Sequence, residues 1–460
     1  MKTMRDVVLP VSKERIFMNA KKTSLALVLS VMFSASVALA EDSITIQKSV
    51  IDTLRYAPRL EMIKHNREAV GHDLDKSKGR WYPKLDIRGG YGTDSYDQEN
   101  NPDDSDWNSR SEISVTLSQR LYDGGEGFSQ IRLDERRAAS LDHRVFDNAE
   151  SLALDAVIAN LEVFRQRELL FLAEENAKAH RDILASLKER EEAGAGSVAD
   201  VKQTQARLSM AQASIEKTRS ALQAALNEYQ RLTGVLPGKI AMTPYPQDLL
   251  PASLEDMTAQ AVAGNPKISA AGEDVNAEAE RVNIAKANYH PYVYLELSST
   301  YSDGVENQEY WERTDAAMVR FNWNLFNGGS DLAGHKATKA RKRQAEADKY
   351  DLTLAVENET KTTWSQYQSS LNEVKEYTQA VQFNRDTKEI YLEQFGVAQR
   401  SLLDVLDSEN EVFQSSSQLV TSSVNEQIAA YKLMALSGKL INALGVDPAL
   451  YKDPAVYTQE

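Results

Sequence analysis

The chain has 460 residues and no cysteine, so it can build neither a disulfide framework nor a thiolate metal site, and no thiol can carry an acyl anchor behind a leader. Its six histidines, at 65, 72, 143, 180, 290 and 335, show no H-E-x-x-H or comparable ligand spacing, and no serine sits in a G-x-S-x-G elbow. Carboxylate pairs are plentiful, but helices this charged always supply some. No catalytic constellation emerges, no cofactor or metal is expected, and the chain reads as a non-enzyme. Basic residues are in deficit as well. Residues 1–40 hold six Lys or Arg and two Asp or Glu, so the formal charge of −15 becomes −15 − (6 − 2) = −19 for the remainder, a poor balance for binding nucleic acid. Past residue 39 no apolar run is long enough to cross a bilayer as a helix. Any membrane insertion must therefore be by strands, closed so that no edge faces lipid.

The first forty residues read as a secretory leader. Lys21 and Lys22 precede an apolar run from Leu25 to Leu39 that closes on Ala38-Leu39-Ala40, with small residues at the cleavage site. A membrane anchor fits less well, because a spanning helix needs ~20 apolar residues. Residues 1–17 add nothing such a leader needs, which makes Met18 a candidate start, and the mature chain is expected to begin at Glu41.

What is present is one plan written twice. Ala57-Pro58 and Trp81-Tyr82-Pro83 are answered by Asn265-Pro266 and Tyr289-His290-Pro291, both displaced by 208. Leu121-Tyr-Asp-Gly-Gly125 is answered by Leu325-Phe-Asn-Gly-Gly329, Asp200 by Asp404, and Leu232-Thr-Gly234 by Leu436-Ser-Gly438, all displaced by 204. The four extra residues of one unit fall in the polar stretch from Asp94 to Arg110, where a surface loop tolerates them. The expected organisation is a first unit over 41–238, a linker over 239–252 with its neighbouring prolines, a second unit over 253–445, and a tail over 446–460 of uncertain order. Each unit reads helix, strand, loop, strand, long helix, bend, shorter helix. In the first, helices are expected at 58–79, 125–192 and 198–232 and strands at 83–93 and 111–122; in the second, helices at 266–288, 329–394 and 402–436 and strands at 291–301 and 314–326.

The strands alternate with period two. Leu85, Ile87, Gly89 and Tyr91 lie on one face, as do Ile113, Val115 and Leu117, then Val293, Leu295 and Leu297, then Ala317, Val319 and Phe321. The other faces carry Asp86, Arg88, Glu112, Thr116, Arg120, Glu296, Arg320 and Asn322. Each hairpin alone could be half of a soluble sandwich, but four strands make a poor independent sheet. Aromatic residues at the helix-proximal strand ends resemble an interfacial girdle, which favours strands facing lipid. The long helices have seams of apolar and small residues at steps of three, four and seven, from Leu141 and Val145 to Ala173 and Ala177. Each would run on the order of 100 Å. The returning helix is about half as long, and the helix preceding the strands is of a size to stack end to end with it. A free-standing coiled coil is the alternative, but it leaves the four amphipathic strands without a role.

Two tandem units with these openings, L-Y-D-G-G and L-F-N-G-G after the second strand of each hairpin, and F-G-V-A-Q-R-S-L-L-D-V-L-D from Phe395 to Asp407 resemble the TolC family of bacterial outer-membrane efflux proteins over nearly the whole mature chain. The resemblance implies a mostly α fold with a small β part. Long antiparallel coiled-coil helices would form a periplasmic α-barrel, and four strands per protomer would enter a twelve-stranded outer-membrane barrel shared by a homotrimer in a Gram-negative envelope. It implies that Asp404 and Asp407 form acidic rings at the periplasmic entrance, where like-charge crowding would raise some carboxylate pKa values. It further implies that Arg400 links neighbouring helical hairpins with Asp200 as acceptor, while Phe395 stands where the family often has a latching tyrosine. Gly194, Gly196, Ser197, Gly396 and Ser401 at the bends would receive a periplasmic adaptor's hairpin. Gly124, Gly125, Gly328 and Gly329 are read as strand-to-helix swivels, since no Lys-Ser/Thr follows them as in a phosphate loop. For the acidic residues, helix capping and dipole stabilisation give an ordinary alternative. The unacylated start and the ending from Leu433 to Val446 resemble the type I secretion branch, whose members export adhesins or toxins with an inner-membrane ABC transporter. Multidrug efflux with a proton-driven pump is the rival, and a non-transporting envelope spacer the second one.

Overall fold

The computed structural model describes residues 43–95, 107–194, 196–304, 310–397 and 399–452. The leader, part of the polar stretch between 94 and 110, and the tail beyond 452 lie outside the described residues. In chain order the elements are β1 (Ser43–Ile44), α1 (Ile46–Tyr56), α2 (Pro58–Gly79), β2 (Lys84–Asp94), β3 (Asn108–Tyr122), α3 (Glu126–Glu192), α4 (Val198–Thr233) and β4 (Lys239–Ile240). Then follow α5 (Leu254–Gly264), α6 (Pro266–Ala287), β5 (Tyr292–Asp303), β6 (Trp311–Asn322), α7 (Ser330–Gly396), α8 (Leu402–Leu436) and α9 (Leu440–Ala443).

Four strands form one antiparallel sheet in the order β2-β3-β5-β6, so among the described residues β2 and β6 are open edges. The register places Leu85, Leu117, Leu297 and Ala317 in one row and Ile87, Val115, Ser299 and Asp315 in the next. The apolar side stands in the open, with Ile87 and Phe321 67% and 77% exposed. β6 runs from Trp311 to Asn322, not to 326 as the alternation suggested. As an edge strand it pairs, among the described residues, with β5 alone, and the ladder stops where Pro291, which has no N–H to offer, precedes Tyr292. β3 is internal and continues past a bulge to pair Tyr122 with Val293.

α3 and α7 are each 67 residues long. α2 and α4 both pack along α3, and α6 and α8 both pack along α7 and α3. α4 ends at the junction of α1 and α2, where a side chain at Gly234 would run into Tyr56, the last residue of α1. α8 ends against the start of α6, where the Asn265 amide donates to the Leu436 carbonyl at 2.9 Å. The pairs α4/α2 and α8/α6 thus run as broken helices beside continuous ones. α1 and α5, which precede the two prolines, were not expected. Their marks are Thr45 and Ser253, whose hydroxyls cap the Lys48 and Asp256 amides, and in α1 the step-four apolar set Ile46, Val50 and Leu54, all buried.

The main core lies at this mid-height belt, where α1, α5, the middle of α3 and the end of α8 converge. The linker is held there: Tyr245 is buried, with its hydroxyl 3.0 Å from that of Tyr367 and donating to Glu426 at 2.8 Å. The end of the chain from Leu440 up to Lys452, which takes in the start of the expected tail and is called the tail below, is docked as well, because Leu440, Ile441, Val446 and Tyr451 enter the same core. Glu150 on α3 reaches the start of α9 and accepts the backbone N–H groups of Leu440 and Ile441, each at 3.2 Å.

Candidate gate at the helical bends

Both bends are shaped by small residues. At the first, α3 stops because Gly194 takes φ +77° and its N–H returns to the Glu191 carbonyl at 2.9 Å. A side chain at Gly196 would lie 2.6 Å from the Glu191 backbone nitrogen, so this position has room for hydrogen alone. Ser197 then caps α4, its hydroxyl accepting from the Ala199 N–H. At the second bend α7 ends at Gly396, the Gln399 N–H returns to the Gln394 carbonyl at 2.9 Å, and Ser401 caps α8 by accepting from the Asp404 N–H at 3.2 Å.

The two bends come together in one chain. Leu184 and Leu187 of α3, Val201 of α4, and Leu402 and Leu406 of α8 form a buried cluster, with Phe395 half-buried against it. Arg190 of α3 lies over the Phe395 ring at 4.7 Å. Above the cluster Arg207 of α4 donates to Asp407 of α8 at 2.7 Å, a bond between the two hairpins. Lys388 of α7 pairs with Glu409 of α8 at 3.0 Å. His180 of α3 is buried nearby; burial pushes its pKa down, Glu409 opposes that shift and Arg207 adds to it, so the ring is neutral at pH 7.

Asp404 is held by its own helix. It accepts from the Ser401 hydroxyl at 2.9 Å and pairs with Arg400 at 3.7 Å. Arg400 also lies over the Tyr391 ring at 4.1 Å, and its Nε is buried without a hydrogen-bond partner among the described residues. Within one chain Arg400 therefore turns to Asp404 and Tyr391, while the Asp200 carboxylate makes no ion pair among the described residues. Arg207, Arg190, Tyr391 and Lys388 were missed in the sequence. One signal existed for Arg207: the displacement of 204 sets Asp407 level with residue 203, only four residues or ~6 Å along a helix from 207, within reach of an arginine.

Glycine pairs stand at both strand-to-helix junctions. Gly124, Gly125, Gly328 and Gly329 take φ of +69°, +88°, +58° and +85°, a region that costs other residues energy. In the first unit Asp123, nearly inaccessible, accepts the N–H groups of Gly125 and Gly127 at 3.0 and 2.8 Å and pairs with Arg120. Among the described residues no helix is long and apolar enough to cross a membrane, and no cluster of three or more metal-ligating side chains occurs.

A profile of the outer membrane efflux protein family, OEP, matches residues 51–235 and 258–439. The outer membrane efflux protein BepC of Brucella suis is 24% identical over 355 residues, 77% of this chain and 78% of BepC. The outer membrane protein TolC of Vibrio cholerae is 23% identical over 394 residues, 83% and 88% of the two chains. Among solved structures, the CmeC outer membrane channel of Campylobacter jejuni superposes with a TM-score of 0.76 at 13% identity, covering 86% of each chain.

Proposed function

The chain belongs to the outer membrane efflux protein family, and from that premise we propose that three copies form a passive duct whose strands cross the outer membrane and whose bends close the periplasmic end. The observation that carries this reading is the four-stranded sheet with an apolar face in the open and two unpaired edges. In lipid each unsatisfied backbone group costs several kcal/mol, and only closure removes the edges. A ring of three such sheets closes with twelve strands. Exposed apolar residues on the outermost helices, such as Tyr350 and Phe383 on α7 and Met62 on α2, give the neighbouring copies something to cover.

The bends are the gate in this reading. Inside each copy the Arg207–Asp407 bond and the Leu402/Leu406 cluster hold the two hairpins together. Between copies, the Nε of Arg400 and the Asp200 carboxylate, both without a partner among the described residues, form the complementary contact. Asp404 and Asp407 of three copies bring six carboxylates around one axis, which favours cations. An adaptor docking at Gly194, Gly196, Ser197, Gly396 and Ser401 separates the hairpins when an inner-membrane transporter engages. The energy for export comes from that transporter.

For the cargo we infer a protein such as an adhesin or toxin, delivered by an ABC transporter; the cysteine-free sequence and the ending from Leu433 to Val446 support it. Small-molecule efflux with a proton-driven pump is the second reading, supported by a polar cavity on the inner side of the sheet. A deletion strain scored for exported and surface proteins and for susceptibility to detergents, dyes and antibiotics tests both. Loss of one large exported protein at unchanged susceptibility supports protein secretion; broad hypersensitivity with intact secretion overturns it in favour of efflux. Purified protein that forms no conducting trimer in a planar bilayer would leave only an envelope spacer.

A further inference from the structure

The polar side of the sheet encloses a cavity of about 490 Å³ at its helix-proximal end, reaching from β2 across β3 to β5. The carboxylates near it are all engaged. Asp86 pairs with Lys84 at 2.8 Å, Glu296 with Arg320 at 2.8 Å, and Asp123 with Arg120 at 2.9 Å. Two further guanidinium groups line the same space, those of Arg80 and Arg88, and neither has a carboxylate partner among the described residues. Three phenols, of Tyr82, Tyr292 and Tyr294, line it too, and Arg120 already lies over the Tyr292 ring at 5.6 Å. The cavity wall thus carries Arg80, Lys84, Arg88 and Arg120 against Asp86 and Glu296, a local excess of positive charge in an acidic chain. Guanidinium forks match oxyanions, and phenol rings offer stacking surface and hydroxyl donors. A volume of this size holds a small organic molecule.

We propose that the barrel lumen carries a subsite for small organic anions with an aromatic body, one per copy, in which Arg80 and Arg88 take the carboxylate or sulfonate and the tyrosines take the ring. It rests on the reading of the barrel as a pore. The site sits at the far end of the duct from the acidic entrance.

The test is current block in planar bilayers holding the full trimer, with 2-naphthalenesulfonate as the probe added from the barrel side. Block should be concentration-dependent. Its midpoint should rise at least about tenfold in Arg88→Gln and in Arg80→Gln, as expected when a charge-assisted hydrogen bond is lost. Arg313→Gln, altered on the opposite, lipid-directed face, should keep the wild-type midpoint. Fluorescence titration of the same probe onto detergent-solubilised trimer gives a second readout for any variant that inserts poorly. Current without block, or block unchanged in both arginine variants, overturns the subsite and leaves the pore standing. Equal block by inorganic sulfate, or by a naphthyl ammonium of the same size, overturns the assigned ligand class. No current from any trimer overturns the pore itself and the subsite with it.

Discussion

Replacing Glu150 with glutamine should make the docking of the tail insensitive to pH. Glu150 is 2% exposed, and its carboxyl, displaced from its ordinary 4.5 to about 8, is raised first by burial, opposed by the N–H groups of Ile441 and Leu440 and aided by the charge of Asp147. Undocking the tail returns the group to water and to its ordinary value. Docking is thus fully supported below about pH 4.5, where the carboxyl is protonated in both states. It weakens as pH rises through the window up to about 8, the direction for an acid whose proton is held more tightly in the native state. A tenfold difference in proton affinity is worth about 1.4 kcal/mol, so ionisation removes about 3 kcal/mol of docking stability at pH 7. Glutamine carries no charge but can accept only one of the two N–H groups, which costs about 1 kcal/mol. The variant should therefore dock more weakly than the parent in acid and more strongly in base, the two curves crossing at roughly pH 5–6. Hydrogen exchange of the peptide spanning 440–446, corrected for the pH dependence of intrinsic exchange, reads this local opening without requiring reversible unfolding of the whole trimer. Equal pH dependence in parent and variant, or none in the parent, would refute the reasoning.

Other outcomes follow from the bends and the linker. Arg207→Ala removes the bond between hairpins; with Arg207 27% and Asp407 52% exposed the loss is at most about 1 kcal/mol, and bilayer recordings should show closed-state leak rising no more than several-fold. Arg400→Ala should raise it further if its spare donor meets the neighbouring copy, and an unchanged conductance would remove that contact. The double change Asp404→Ala and Asp407→Ala should weaken cation selectivity in reversal-potential measurements. Gly196→Ala forces the chain away from the Glu191 backbone and should reduce the yield of protease-resistant trimer, whereas Gly396→Ala, with open space around it, should not. Tyr245→Phe should lower the apparent melting temperature at a fixed scan rate, since Glu426 and Tyr367 lose their shared partner.

The repeat, the strands and the long helices were legible because each is written in short-range pattern: period two bounded by proline, and long spans free of proline ended by glycine. The limits of β6 were not, because they depend on whether a neighbouring strand exists to pair with. α1 and α5 went unread because each is only 11 residues long, and the prolines that follow them drew the boundary. At the bends, Asp404 and Arg400 could be placed near a helix start from the sequence, and the roles expected of them came from the family resemblance. Arg207 was not found, since its partner lies 200 residues away and no local pattern marks a contact between helices of different hairpins. The tail could not be judged from its turn-rich sequence, as what orders it is a carboxylate 290 residues earlier.

The open edges of the sheet have a genetic consequence. If no single sheet can rest in lipid, a protomer's place in the membrane depends on mass action among copies, and its stability cannot be separated from its abundance. A chain with an edge spoiled would still pack its helices against normal partners. Made in equal amounts with the normal chain, it would leave only about one ring in eight free of the defect. Such a lesion would behave as dominant, and raising the amount of normal chain would relieve it.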